Sequence, residues 1–195
     1  MSTIQEIKNV ALCLFAKKGY DGTALSEIAN GVGIKKPSLY AHFNGKEDLF
    51  LTVFREVMAN YVQAIKAVVK ETKNESIEVK LREILFGNGR FYMTHEDEVA
   101  LMKRAMLFPP GELAEALRSE FLVSEKATNS ILIQLFEEGI ASGIIRDESI
   151  DDLLASYYCL VDGLFIQIFY YSSDHFESKM RSAWKIFWKG VALDQ

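Results

Sequence analysis

The sequence predicts an all-α protein. Apolar residues make up 49% of its 195 residues, ample for a packed core. Three prolines leave long unbroken stretches, and twelve glycines are too few for the turns of a sandwich or barrel. Apolar residues also recur at three- and four-residue steps along most of the chain, the period of a helix face. About nine helices are expected: a three-helix N-terminal domain over residues 1–46 and a larger helical body over 47–195.

The elements follow in order. Ile4, Ile7, Val10, Ala11, Leu14 and Phe15 share one face of a first helix, which Gly19 stops. Thr23 stands where an N-cap would open a second helix carrying Leu25, Ile28, Ala29 and Val32, closed by Gly33. Pro37 suits the first turn of a third helix with the narrow apolar pair Leu39 and Phe43. Lys46-Glu47-Asp48 puts acids in the first turn of a long helix that keeps its period to about Lys70. Further helices are expected at about 76–93, 96–107, 111–141 with a kink or break, 150–171 capped by Ser149, and 174–191. The apolar run 153–171 approaches membrane-spanning length. Asp162 at its centre would cost roughly 2.5–3.5 kcal/mol in a bilayer, so a helix buried on two sides in water fits better. An acid inside so apolar a helix needs a donor partner.

The net charge of −5 is uneven. Residues 1–46 hold six Lys/Arg against three acids, a local +3, which leaves −8 for the rest. A basic end on an acidic body suits a polyanion that touches that end alone. Cys13 and Cys159 form neither a disulfide framework nor a thiolate metal site, and the polar start lacks the grammar of a secretory leader, so a cytoplasmic protein is expected. Scattered histidines, a lone His95-Glu96 pair and the lack of a phosphate loop or nucleophile elbow argue against an enzyme, a metal or a cofactor.

A helix that reads DNA must fix one side to its protein and offer the other to base edges in the major groove. Leu39 and Phe43 can do the fixing. At 100° per residue Pro37, Ser38 and Ala41 lie roughly opposite, small enough for close approach, with Tyr40 and His42 on the flanks. Ser38 and Ala41 suit base edges; Lys36, Tyr40, His42 and Lys46 suit phosphates, as does Thr23 if it stands at an exposed helix N-terminus. Each residue alone also has a duller role, as a cap, a solvated charge or a packing aromatic.

The segments Phe15-Ala16-Lys17-Lys18-Gly19-Tyr20-Asp21-Gly22-Thr23, Ile28-Ala29, Val32-Gly33-Ile34 and Ser38-Leu39-Tyr40-Ala41-His42-Phe43 through Lys46-Glu47-Asp48-Leu49 together resemble the N-terminal domain of TetR-type bacterial transcriptional repressors. Two positions depart from the usual pattern: Pro37 stands where glycine is common, and Ala41 where a second aromatic is common. The resemblance implies a homodimer on a near-palindromic double-stranded operator, released by a small effector, with the helix from 46 to 70 transmitting the change. It also implies a helix packing that brings Phe86, Asn88, Phe91, Met102, Met106 and Thr128 toward a shared interior. Apolar and aromatic walls with few polar atoms suit a small hydrophobic effector. Ser124 and Thr128 can equally be satisfied by helix carbonyls.

The two C-terminal helices carry more apolar surface than one small chain covers. Leu154, Tyr158, Val161, Phe165 and Ile168, with Trp184, Phe187, Trp188 and Val191, are the expected subunit interface. Two rival readings remain, a helical binding protein for apolar small molecules that does not read DNA and an architectural DNA binder without a ligand.

Overall fold

A computed structural model of the chain describes residues 3–193. Among them are nine α-helices: α1 (Thr3–Lys18), α2 (Leu25–Val32), α3 (Lys36–Leu39), α4 (Lys46–Glu71), α5 (Ile77–Thr94), α6 (Glu96–Leu107), α7 (Ala114–Ala141), α8 (Ile150–Gln167) and α9 (Ser173–Val191). A 3₁₀ turn, Gly111–Leu113, leads into α7, which is one continuous helix and not a broken one. Among the described residues the extended structure is a single bridge between Ile145 and Ala192. No helix of the described residues is long and apolar enough to cross a membrane. The chain forms two compact units, one made of the residues up to Asn60 with His95–Ser124, the other of Tyr61–Thr94 with Glu125 onward.

In the first unit the stripe predicted for α1 is inward: Ile7, Ala11 and Phe15 are fully buried. Phe15 meets Phe50 edge-on at 4.8 Å and Tyr20 meets the same ring at 5.1 Å. Burying each such ring contributes about 1.5–3 kcal/mol. Gly19 ends α1 and Gly33 ends α2 at φ +76° and +77°, a region costly for side chains with a Cβ. Thr23 does not cap α2. It is buried, and its hydroxyl donates back to the carbonyls of Gly19 (2.8 Å) and Leu14 (3.3 Å). Glu27 does the capping, accepting from the Ala24 N–H at 2.9 Å and pairing with Lys18 at 2.5 Å. The Lys18 hydrogen bond, then the Ala24 N–H, hold the Glu27 carboxyl below its usual range. Arg104 of α6 completes the unit. Its Nε donates to the Ala16 carbonyl at 2.8 Å and its Nη2 to that of Lys17 at 2.9 Å, satisfying the end of α1.

In the second unit α5 packs against both α8 and α9. The α9 stripe Phe176, Met180 and Trp184 is buried. Gly89 of α5 lets it come close: a Cβ there would lie 2.5 Å from the Met180 sulfur and 3.2 Å from Phe176. Ser149 caps α8 as expected, accepting from the Asp152 N–H at 3.1 Å. The helix ends at Gln167, short of 171. Tyr157 is buried and donates to the Leu81 carbonyl at 2.8 Å, while Phe165 sets its edge against Tyr92 at 5.3 Å.

Candidate functional site

The segment from Gly33 to Phe43 is built by backbone rules. The Gly33 N–H closes on Asn30 at 3.1 Å and the Ile34 N–H on Ala29 at 3.0 Å, a left-handed cap that redirects the chain. Lys35 then takes an extended conformation and Pro37 sits in the first turn of α3. Although α3 itself is only four residues, the His42 and Phe43 N–H groups both return to the Leu39 carbonyl, at 3.0 and 2.9 Å, so the helical course continues to Phe43. Leu39 and Phe43 are buried at 1% and 7% exposure. Lys35, Lys36, Pro37, Ser38, Tyr40, Ala41 and His42 are all exposed. One helical segment thus anchors on two side chains and shows water a face of small, hydroxyl and cationic groups.

Two expected phosphate ligands sit differently. Thr23 has both its hydroxyl and its N–H committed internally, the latter to the Tyr20 carbonyl at 3.2 Å, so it fastens the α1–α2 corner and presents no donor outward. The Lys46 ammonium lies 4.1 Å above the Tyr20 ring and donates to the Tyr20 carbonyl at 3.0 Å. An ammonium has three donors, so this leaves others for an anion.

In the second unit Asn88 and Thr128 line one small void, together with Tyr61, Tyr158, Ile84 and Ile131. Its volume is about 10 Å³, room for the centre of a single water. The Tyr61 hydroxyl donates to Asn88 Oδ1, whose amide donates to the Ile84 carbonyl at 2.8 Å. Thr128 Oγ1 lies 3.1 Å from the Tyr158 hydroxyl and also donates to the Glu125 carbonyl at 3.0 Å. Burial pushes the Tyr61, Tyr92, Tyr157 and Tyr158 phenols up, so they remain neutral hydrogen-bonding groups. A wider cleft of about 210 Å³ shares Ile84 and Ile131 with the void and opens past Val69, Thr72, Lys80 and Gln134. Phe91 is buried and Phe86 half-buried, neither on the wall of the void. Met102 and Met106 belong to the first unit, whereas Phe86, Asn88, Phe91 and Thr128 belong to the second. Sequence reasoning missed Tyr61 at this void and assigned Tyr158 to the subunit interface instead; the signal was Tyr61 on the apolar stripe of α4 and Tyr158 on that of α8.

The expected subunit face is turned inward in part. Val161, Phe165 and Trp184 are buried in their own unit, and Tyr158 serves the void, so they cannot all meet a partner. Leu154, Ile168, Phe187, Trp188 and Val191 are half-buried. The face left to water holds Ala155, Ser156, Cys159 and Asp162 on α8 and Ser178, Ser182 and Ile186 on α9. Asp162, expected to need a donor partner, lies on this exposed face.

Residues 7–53 match the family model "Bacterial regulatory proteins, tetR family", and residues 75–192 match "Tetracyclin repressor-like, C-terminal domain". Among curated proteins the chain is 24% identical over 137 residues to the uncharacterized HTH-type transcriptional regulator YerO of Bacillus subtilis, covering 70% of this chain and 47% of that one. Over 40 residues it is 55% identical to IcaR of Staphylococcus aureus, a negative transcriptional regulator of a biofilm operon; the match covers 20% of this chain and 22% of IcaR. The matches thus span about half the length of YerO and a fifth of IcaR. Among solved structures, a transcriptional regulator from Saccharomonospora viridis in complex with choline superposes with TM-score 0.80 at 20% identity, covering 98% of both chains. FadR of Bacillus subtilis in complex with stearoyl-CoA does so at 0.77 and 19%, covering 96% of this chain and 98% of FadR. With both halves matched, by a DNA-reading N-terminal model and a repressor-like C-terminal one, the chain belongs to the tetR family of bacterial regulatory proteins, DNA-binding transcriptional regulators.

Proposed function

We propose that the protein is a homodimeric repressor that grips a near-palindromic operator in the cytoplasm and lets go when a small, largely apolar, uncharged effector enters the second unit. The observation that carries this reading is the anchored segment 36–43, with Leu39 and Phe43 buried and Lys36, Pro37, Ser38, Tyr40, Ala41 and His42 exposed. Ser38 and Ala41 take the base-edge role, Lys36, Tyr40 and His42 the phosphate role. Repression is supported by the IcaR match over the residues it covers.

For the effector, the void around Asn88 supplies neutral hydroxyl and amide groups among apolar walls, with no ionic side chain on its lining. The cleft beyond Ile84 and Ile131 supplies a way in, and a ligand would have to displace Tyr61 or Tyr158 to make room. A tenfold change in operator affinity needs only about 1.4 kcal/mol of differential binding. For the dimer, the exposed small residues of α8 and α9 allow close helix approach between subunits.

The test is selection of random DNA fragments by the purified protein, with sequencing of what is retained. A recovered inverted repeat, with each half-site protected, is expected. Retention without sequence preference would overturn the operator reading and favour an architectural binder. No salt-dependent retention would favour a small-molecule binding protein.

A further inference from the structure

We propose that the first unit holds a small-molecule site of its own, a cleft of about 290 Å³ beside Tyr20 that takes a one- or two-ring aromatic carboxylate. Its floor is the buried rings of Phe15, Tyr20 and Phe50 with Leu101 and Ala105. At the mouth Phe108 is 74% exposed, a phenyl ring standing in water beside an aromatic-lined cleft. Pro109 and Pro110 follow it and restrict the backbone of the loop that carries it. The volume is at the low end for organic ligands, enough for one or two rings. The cleft shares no lining residue with the void around Asn88.

Charge selects the class. The ionic groups on the lining are Lys18, Asp21 and Arg104. Lys18 is already paired with Glu27. Arg104 spends Nε and Nη2 on the carbonyls of Ala16 and Lys17, and its guanidinium carries five N–H donors. Nη1 lies 3.5 Å from the point where Gly19 would carry a Cβ, at the edge of the cleft. A carboxylate there would pair with the guanidinium through short, charge-assisted hydrogen bonds. Asp21 on the same rim, and Glu112, which accepts from the Tyr20 hydroxyl, limit the ligand to one negative charge. Binding through Nη1 leaves the Nε and Nη2 bonds to the end of α1 in place.

The test is titration of the full chain with 1-naphthoate, followed by its fluorescence, and in parallel with the neutral 1-naphthamide. Saturable 1:1 binding is expected, with the acid preferred about tenfold. Arg104→Gln should reduce that preference to within about twofold, and Phe108→Ala should weaken acid and amide alike by about fivefold. Should Arg104→Gln lose helix content by circular dichroism, Arg104→Lys and the exposed Phe108→Ala decide. The proposal fails if nothing saturates, if wild type binds acid and amide equally, or if neither Arg104→Lys nor Phe108→Ala alters binding. It fails likewise if binding is lost in Thr128→Phe alone, which would place the ligand in the second unit; none of these outcomes bears on operator recognition.

Discussion

Tyr20 is held from several sides: Phe50 by its edge, the Lys46 ammonium over its face, and Glu112 at its hydroxyl. Burial, then the Glu112 carboxylate, push its phenol up to about 12. The unfolded chain loses this proton near pH 10, so the contribution is complete below about pH 10 and lost as pH rises toward about 12. Denaturant midpoints compared at about pH 9 and about pH 11 should fall less in Tyr20→Phe than in wild type; an equal fall would deny Tyr20 this role. Lys46→Ala should have two effects. Removing the cation from the ring costs about 0.5–1 kcal/mol of stability. Operator and random DNA should weaken equally, with the salt slope reduced by about one; a slope left unchanged would confine Lys46 to Tyr20.

At the scale of elements, the recognition segment divides its work by face. Ser38→Ala should lower operator affinity while leaving random-DNA affinity and thermal stability alone, because Ser38 is exposed and opposite the Leu39–Phe43 anchor. Competition binding on the two DNAs measures this, and equal losses on both would move Ser38 to the phosphate group. Where α5 meets α9, Gly89→Val has no space beside Met180 and Phe176 and should cost about 1–3 kcal/mol in urea unfolding. Much of this was legible in the sequence because it is local. Gly19, Gly33 and Ser149 end or open helices through groups within four residues, and the α1 stripe needs only its period. Thr23 misled because its hydroxyl donates backward, to the Gly19 carbonyl and to the Leu14 carbonyl of α1, instead of accepting from an N–H of α2. Arg104 gave no signal at all, since its acceptors lie 88 and 87 residues away. The α8 sequence is apolar nearly all round, so periodicity could not say which side turns inward; Tyr157 bonding to Leu81 and Phe165 against Tyr92 decide it.

For the molecule as a whole, that choice of side changes what a dimer must look like. Phe165→Glu puts a carboxylate at a position 6% exposed and should lower the unfolding midpoint and helix content, a folding defect and not clean dissociation. Ile186→Glu, at a position 69% exposed, should keep its fold while sedimenting as a monomer and losing operator binding. A folded Ile186→Glu dimer would move the subunit contact elsewhere. The exposed side of α8 also carries Cys159, whereas Cys13 is half-buried in α1. The two thiols should therefore differ in how fast an alkylating reagent reaches them, with Cys159 the faster. If a second copy covers the α8–α9 face, the alkylation half-life of Cys159 lengthens as the protein is concentrated and Cys13 keeps its own rate. Mass spectrometry of timed quenches across a dilution series would then trace the association isotherm from unlabelled wild-type protein, with Cys13 as the internal clock.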